Sequence, residues 1–169
     1  MLLCLPMAFL CCRSPKDDSH LRQSPGTTSA DGALAVSWFV DESKLRNLDH
    51  IYHSGHSEKL LFPEILGGGG AVIDFDGDGW LDLYLVQGGT LDASGSDEWR
   101  NRLFRNDGQG RFVDVSSGSG TDHTGYAMGA IAGDFDGDGW VDLYVTNFGP
   151  NVLLKNNRDG TFSDVTDQA

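Results

Sequence analysis

Two stretches of the chain alternate apolar and polar residues with a period of two. Leu81, Leu83 and Leu85 fall on one face against Asp82, Tyr84 and Val86, and Val141, Leu143 and Val145 against Asp142, Tyr144 and Thr146, which predicts a strand at each place. A short apolar run precedes each stretch, Ala71 to Asp74 and Ile131 to Asp134. Further on, residues 101–115 and 151–165 each place two short apolar runs around a polar turn closed by glycine, Asn106 to Gly110 and Asn156 to Gly160, which predicts a hairpin. Each unit therefore reads as four strands. Upstream, Trp38-Phe39-Val40-Asp41 matches the fourth-strand pattern of Arg111-Phe112-Val113-Asp114, so the last strand of a further unit is expected there.

The two units are copies. Asp74-Phe75-Asp76-Gly77-Asp78-Gly79-Trp80-Leu81-Asp82-Leu83-Tyr84 recurs sixty positions on as Asp134-Phe135-Asp136-Gly137-Asp138-Gly139-Trp140-Val141-Asp142-Leu143-Tyr144, whereas the hairpins are offset by fifty. The difference falls in one connection: Gln87 to Arg100 is long and rich in Gly, Ser and Asp, and Asn147 to Pro150 is short. Length variation of this kind belongs to surface loops and leaves the framework intact. Repeated four-stranded antiparallel sheets indicate an all-β fold of β-propeller blades, each burying its faces against its neighbours. Closed propellers use roughly four to eight blades. Two blades with part of a third are expected to form an incomplete propeller, a fragment or a piece that completes itself by assembly.

Between the first two strands of each unit lies an acidic loop with its own chemistry. Carboxylates at loop positions 1, 3, 5 and 9 are Asp74, Asp76, Asp78 and Asp82 in one copy and Asp134, Asp136, Asp138 and Asp142 in the other. They can converge only if the chain coils tightly, and the glycines at 77, 79, 137 and 139 permit positive φ. At position 7, Trp80 and Trp140 would offer backbone carbonyls. Four carboxylates gathered so closely repel one another unless a cation neutralises them. An all-oxygen set suits a hard ion, and four carboxylates favour Ca2+ over magnesium, which keeps more waters. Ordinary acidic turns could explain one such run, but they explain two copies matching at every carboxylate and glycine much less well. The loop follows the first half of an EF-hand, but position 12 is Leu85 or Val145 rather than Glu, and the flanking patterns are strands.

The metal loop and the Asn101–Val115 hairpin resemble FG-GAP/VCBS repeats, the units of the integrin-alpha-like propeller. The lead-ins Phe62-Pro63-Glu64-Ile65-Leu66-Gly67 and Thr124-Gly125-Tyr126-Ala127-Met128-Gly129 are most similar to the ASPIC/UnbV group, which includes cartilage-acidic-protein-like chains. The resemblance covers about Trp38 to Ala169. It implies a calcium-binding propeller of secreted or surface proteins, used for adhesion, binding or scaffolding and not catalytic, with the eight aspartates above as ligands. The group's characteristic C-terminal region has no counterpart here.

A net charge of -13 argues against nucleic acid as a partner, which would require a basic patch. Residues 2–12 form an apolar run too short for a transmembrane span and long enough for a signal-peptide core. Residues 1–12 therefore read as a signal peptide, 13–34 as a flexible linker and 35–169 as the repeat segment. The expected location is secreted or at the cell surface, with a periplasmic or lipid-anchored form on Cys11 or Cys12 as a minority alternative. All three cysteines (Cys4, Cys11 and Cys12) lie in the first segment, so the repeat segment cannot depend on disulfides. His50, His53 and His56 lack the companion ligands of a zinc site. Trp80, Trp140, Tyr84 and Tyr144 could stack on carbohydrate, although packing between blades is the plainer role. The leading expectation is a non-catalytic calcium module whose partner is an extracellular protein or polysaccharide. The alternative is a fragment of a calcium-dependent propeller enzyme acting on extracellular polysaccharide.

Overall fold

The computed structural model describes residues 39–59, 61–91 and 99–168. The expected signal peptide, the linker and Trp38 lie outside the described residues. The architecture set out below belongs to one compact unit, Asp41–Ala169.

Among the described residues, eight strands form two antiparallel sheets. Strands β1 (Gly70–Ile73), β2 (Asp82–Leu85), β3 (Arg102–Asn106) and β4 (Phe112–Asp114) build the first, and β5 (Ala127–Gly133), β6 (Asp142–Asn147), β7 (Val152–Asn156) and β8 (Phe162–Asp164) the second. Each sheet is a simple meander, β1-β2-β3-β4 and β5-β6-β7-β8. This is the four-stranded unit expected from the repeat, and the two sheets are blades of an open, incomplete propeller. Equivalent positions keep the same register: Tyr84 stands opposite Ala71 and Leu103, and Tyr144 opposite Ile131 and Leu153. The hairpin turns fall where the glycines place them, with the Asp107 N–H donating to the Arg111 carbonyl and that of Asn157 to the Thr161 carbonyl, both at 2.9 Å.

Among the described residues, the expected strand before the first blade does not form. Phe39 and Val40 are exposed coil, and residues 43–47 turn. Asp41 accepts hydrogen bonds from the Ser43 N–H at 2.9 Å and the Ser43 hydroxyl at 2.6 Å, which bends the backbone away from a ladder. A fourth-strand pattern is extended only when a third strand pairs with it. The chain instead runs beside β4, where the Phe112 N–H donates to the Arg46 carbonyl at 2.8 Å. Arg46 also donates to the Gly110 carbonyl at 3.0 Å.

The core lies between the blades. The face of the first sheet carrying Ala71, Ile73, Tyr84 and Leu103 meets the face of the second carrying Leu143, Val145, Val152, Leu154 and Phe162, and all nine side chains are buried. Each large apolar side chain so buried contributes about 1.5–3 kcal/mol. The only polar group on Tyr84 is satisfied inside this core, donating to the Thr121 carbonyl at 3.1 Å and accepting from Asn101 Nδ2 at 2.9 Å. Tyr84 is thus a packing residue rather than a stacking platform. Its copy Tyr144 lies on the outward face of the second sheet and is 39 % exposed.

Ahead of β1, a short helix α1 (Phe62–Leu66) opens with Pro63 in its first turn, where a missing N–H costs nothing. Glu64, buried, anchors this lead-in by accepting from the Ser57 N–H, the Ser57 hydroxyl and the Leu61 N–H at 3.1–3.2 Å. No helix among the described residues is long and apolar enough to cross a membrane.

Candidate metal centre

Each acidic loop joins the first two strands of its blade, so the sheet fixes both ends. Asp74 follows β1 and Asp82 opens β2, with Asp134 and Asp142 at the same stations in the second blade. The coil between them uses left-handed backbone at Gly77 and Gly79, with φ of 73° and 87°, and at Gly137 and Gly139, with φ of 74° and 89°. In this conformation the backbone N–H groups turn inward to the carboxylates. Asp74 Oδ2 accepts from the Gly79 N–H at 3.1 Å, Asp76 Oδ1 from the Asp78 N–H at 3.2 Å and Asp78 Oδ1 from the Trp80 N–H at 2.8 Å. The second loop repeats the pattern with Gly139 on Asp134 at 2.9 Å, Asp138 on Asp136 at 3.2 Å and Trp140 on Asp138 at 2.9 Å.

The geometry brings three of the four expected carboxylates in each loop together. One oxygen from each of Asp74, Asp76 and Asp78 lies within 4.8 Å of the others, and the same holds for Asp134, Asp136 and Asp138. Asp82 and Asp142 stand outside these groups as buried braces. Asp82 accepts from the Phe75 N–H at 3.2 Å and the Asn106 N–H at 2.8 Å, and Asp142 from the Phe135 N–H at 3.1 Å and the Asn156 N–H at 2.8 Å. Each brace therefore ties the loop to the hairpin of its own blade. Burial pushes the Asp82 carboxyl up to about 6, the charges of Asp76 and Asp78 add to this, and its hydrogen bonds from Asn106 and Phe75 oppose it.

The donor set fits a hard cation. In the first loop, Asp74 Oδ1 is buried and accepts no hydrogen bond, an arrangement that is costly unless another ligand fills it. All side-chain donors in both triads are carboxylate oxygens, the ligand type of calcium and magnesium.

Basic side chains approach both loops, and sequence reasoning had not singled them out. Arg105 reaches Asp76 Oδ2 at 3.7 Å. In the second loop Lys155 pairs with Asp136 and lies 3.5 Å from Asp138 Oδ2, and Arg158 reaches Asp138 Oδ2 at 2.7 Å. The Arg158 guanidinium, followed by a backbone hydrogen bond from Trp140, holds the Asp138 carboxyl below the usual range. The available signal was the alignment of Arg158 with Gly108 of the first hairpin. Elsewhere, His53 packs at a tilt against Trp99, ring centroids 4.1 Å apart, and His50 lies edge-on to Phe104 at 6.5 Å; these histidines pack rather than converge.

The FG-GAP-like repeat family matches residues 74–145 and again 134–169. The chain belongs to the FG-GAP-like repeat family. Both matches begin at the first aspartate of an acidic loop, so the FG-GAP-like unit spans loop, second strand and hairpin together. No curated protein matches the chain.

Proposed function

We propose that this FG-GAP-like chain is a non-catalytic calcium-binding repeat module of an exported protein, used for adhesion, binding or scaffolding. The single observation carrying the calcium reading is the convergence of three carboxylates in each of two loops, within 4.8 Å. The orphaned Asp74 Oδ1 supports it. Asp74, Asp76 and Asp78 would hold one ion and Asp134, Asp136 and Asp138 another, with the carbonyls of Trp80 and Trp140 and the carboxylates of Asp82 and Asp142 completing the two sets. When bound, the ion supplies charge neutralisation and a cross-link between the first two strands of a blade. The chain's own residues shape the loops, and the N–H donors of Gly79, Trp80, Gly139 and Trp140 orient the carboxylates.

Export is supported by the apolar run at residues 2–12. Within the family, the lead-ins at 62–67 and 124–129 favour the ASPIC/UnbV group. The partner is an extracellular protein or polysaccharide, met on blade surfaces rather than in a catalytic cleft. Thermal unfolding with and without a calcium chelator tests the calcium reading. Chelation lowers the melting temperature if the ions brace the blades, and an unchanged melt rejects them as structural sites. Affinity in the range of extracellular modules is about 10⁻⁴ to 10⁻³ M.

A further inference from the structure

The two loops share a sequence and differ in what surrounds them. In the first, Trp80 lies over the hairpin turn of its own blade: a Cβ at Gly108 would sit 2.8 Å from Trp80 Nε1, so a side chain there would displace the ring. In the second blade the equivalent Trp140 leans the other way, onto the first loop, where a Cβ at Gly77 would lie 3.3 Å from its ring. At the station of Gly108 the second hairpin carries Arg158. Arg158 adopts φ of 68° at the station where Gly108 has 74°, a left-handed conformation that L side chains adopt only at a cost. The chain accepts that cost, and the guanidinium reaches Asp138 Oδ2 at 2.7 Å.

We propose that Lys155 and Arg158 are internal cations of the second loop, which calcium must displace, so that the first loop fills at lower calcium and the second acts as the weaker, later site. This rests on the calcium reading above and adds an order of filling to it. Two carboxylates of the second triad, Asp136 and Asp138, have opposite charges at contact distance, whereas among the described residues the first triad has one, Arg105, at 3.7 Å from Asp76. Backbone donors follow the same trend. Asp134 Oδ1 accepts from the N–H groups of Gly137 at 2.9 Å and Asp138 at 3.0 Å, while Asp74 Oδ1 is buried and accepts none; the second triad's own buried oxygen without a hydrogen bond, Asp138 Oδ2, faces the charges of Arg158 and Lys155 instead. An incoming dication gains more where charges and lone pairs are uncompensated, and less where an existing ion pair must first be broken. The sequence alignment alone would make the two sites equal.

The test is a calcium titration of the full chain, followed by the amide resonances of Gly77 and Gly79 for the first loop and Gly137 and Gly139 for the second. Half-saturation of the second loop is expected at about tenfold higher calcium than the first, the scale of two exposed ion pairs expressed as an affinity ratio. Arg158→Gly restores the residue found at the equivalent turn and removes one competitor without demanding a new backbone, and Lys155→Met removes the other. Each variant narrows the interval between the loops, and together they close it to within about threefold. Equal half-saturation in the unaltered chain, or an interval untouched by both variants, overturns the ordering while leaving the calcium sites standing. Absence of any calcium-dependent shift at all four glycines overturns the ordering and the calcium reading together.

Discussion

The Asn156 side-chain amide donates to the Phe75 carbonyl at 2.8 Å, across the boundary between the blades, and to the Val141 carbonyl of its own blade at 3.2 Å. Phe75 is the second residue of the first metal loop, so the hairpin of the second blade braces the loop of the first. Its repeat counterpart Asn106 donates to Leu81 of its own blade at 3.0 Å. Both asparagines also accept an N–H within their turns, from Gly108 at 3.0 Å and Arg158 at 2.8 Å. Asn156→Ala is therefore expected to destabilise the protein by about 1–3 kcal/mol more than Asn106→Ala, because it leaves a buried carbonyl unpaired. Urea unfolding of the two variants with similar slopes measures the difference, and equal midpoints would remove the inter-blade bond from the account.

Phe75 and Phe162 meet across the same boundary with ring centroids 6.2 Å apart, and both are buried. Phe135, the copy of Phe75 in the second loop, is 49 % exposed. Phe162→Ala is expected to cost about 3–5 kcal/mol, the range for emptying an aromatic core site. Phe135→Ala should stay within about 0.5 kcal/mol of the unaltered chain. Calorimetric melting of both variants decides whether the blade boundary is the true core.

The Asp82 carboxyl, raised by burial to about 6, gives a pH signature in calcium-free protein. Its folded pKa lies above its unfolded value, so its contribution to stability is fully present when protonated, below the unfolded value of about 3.9, and is lost as pH rises through about 6. His50 runs the opposite way, because burial lowers its pKa and acid therefore favours the unfolded chain. The comparison must isolate Asp82. In chelator, the melting temperature of the unaltered chain is expected to rise relative to Asp82→Asn between pH 7 and pH 5. A constant offset across that interval would show that Asp82 does not titrate there.

The strands, hairpins and acidic loops were legible in the sequence because each occurs twice, and glycine marks the same turns in both copies. Which face of a strand is buried was not. Tyr84 is fully buried and Tyr144 is 39 % exposed although they share a register, because a second blade covers one and none of the described residues forms a blade over the other. Spacing grouped Asp82 with Asp74, Asp76 and Asp78 but did not show its bracing role: position 9 opens β2, where the carboxylate accepts from the N–H groups of Phe75 and Asn106. The fourth-strand pattern at Trp38 to Asp41 misled, since composition carries no information about whether a pairing strand exists. Arg158 sat in plain view at a glycine station, but its partner Asp138 is brought to it only by the fold.

Calcium stoichiometry by isothermal titration calorimetry, carried to millimolar calcium, tests the central claim most directly. The unaltered chain should bind two ions. Asp136→Ala, which removes one carboxylate from the second triad, should bind one. Asp107→Ala is the matched control, since Asp107 Oδ1 accepts from the Gln109 and Arg111 N–H groups at 2.8 and 3.0 Å within a hairpin turn outside both triads. It should lower stability only modestly and leave two ions bound. If Asp136→Ala still binds two equivalent ions, or if both substitutions lower the stoichiometry alike, general acidity rather than loop geometry holds the metal and the account fails.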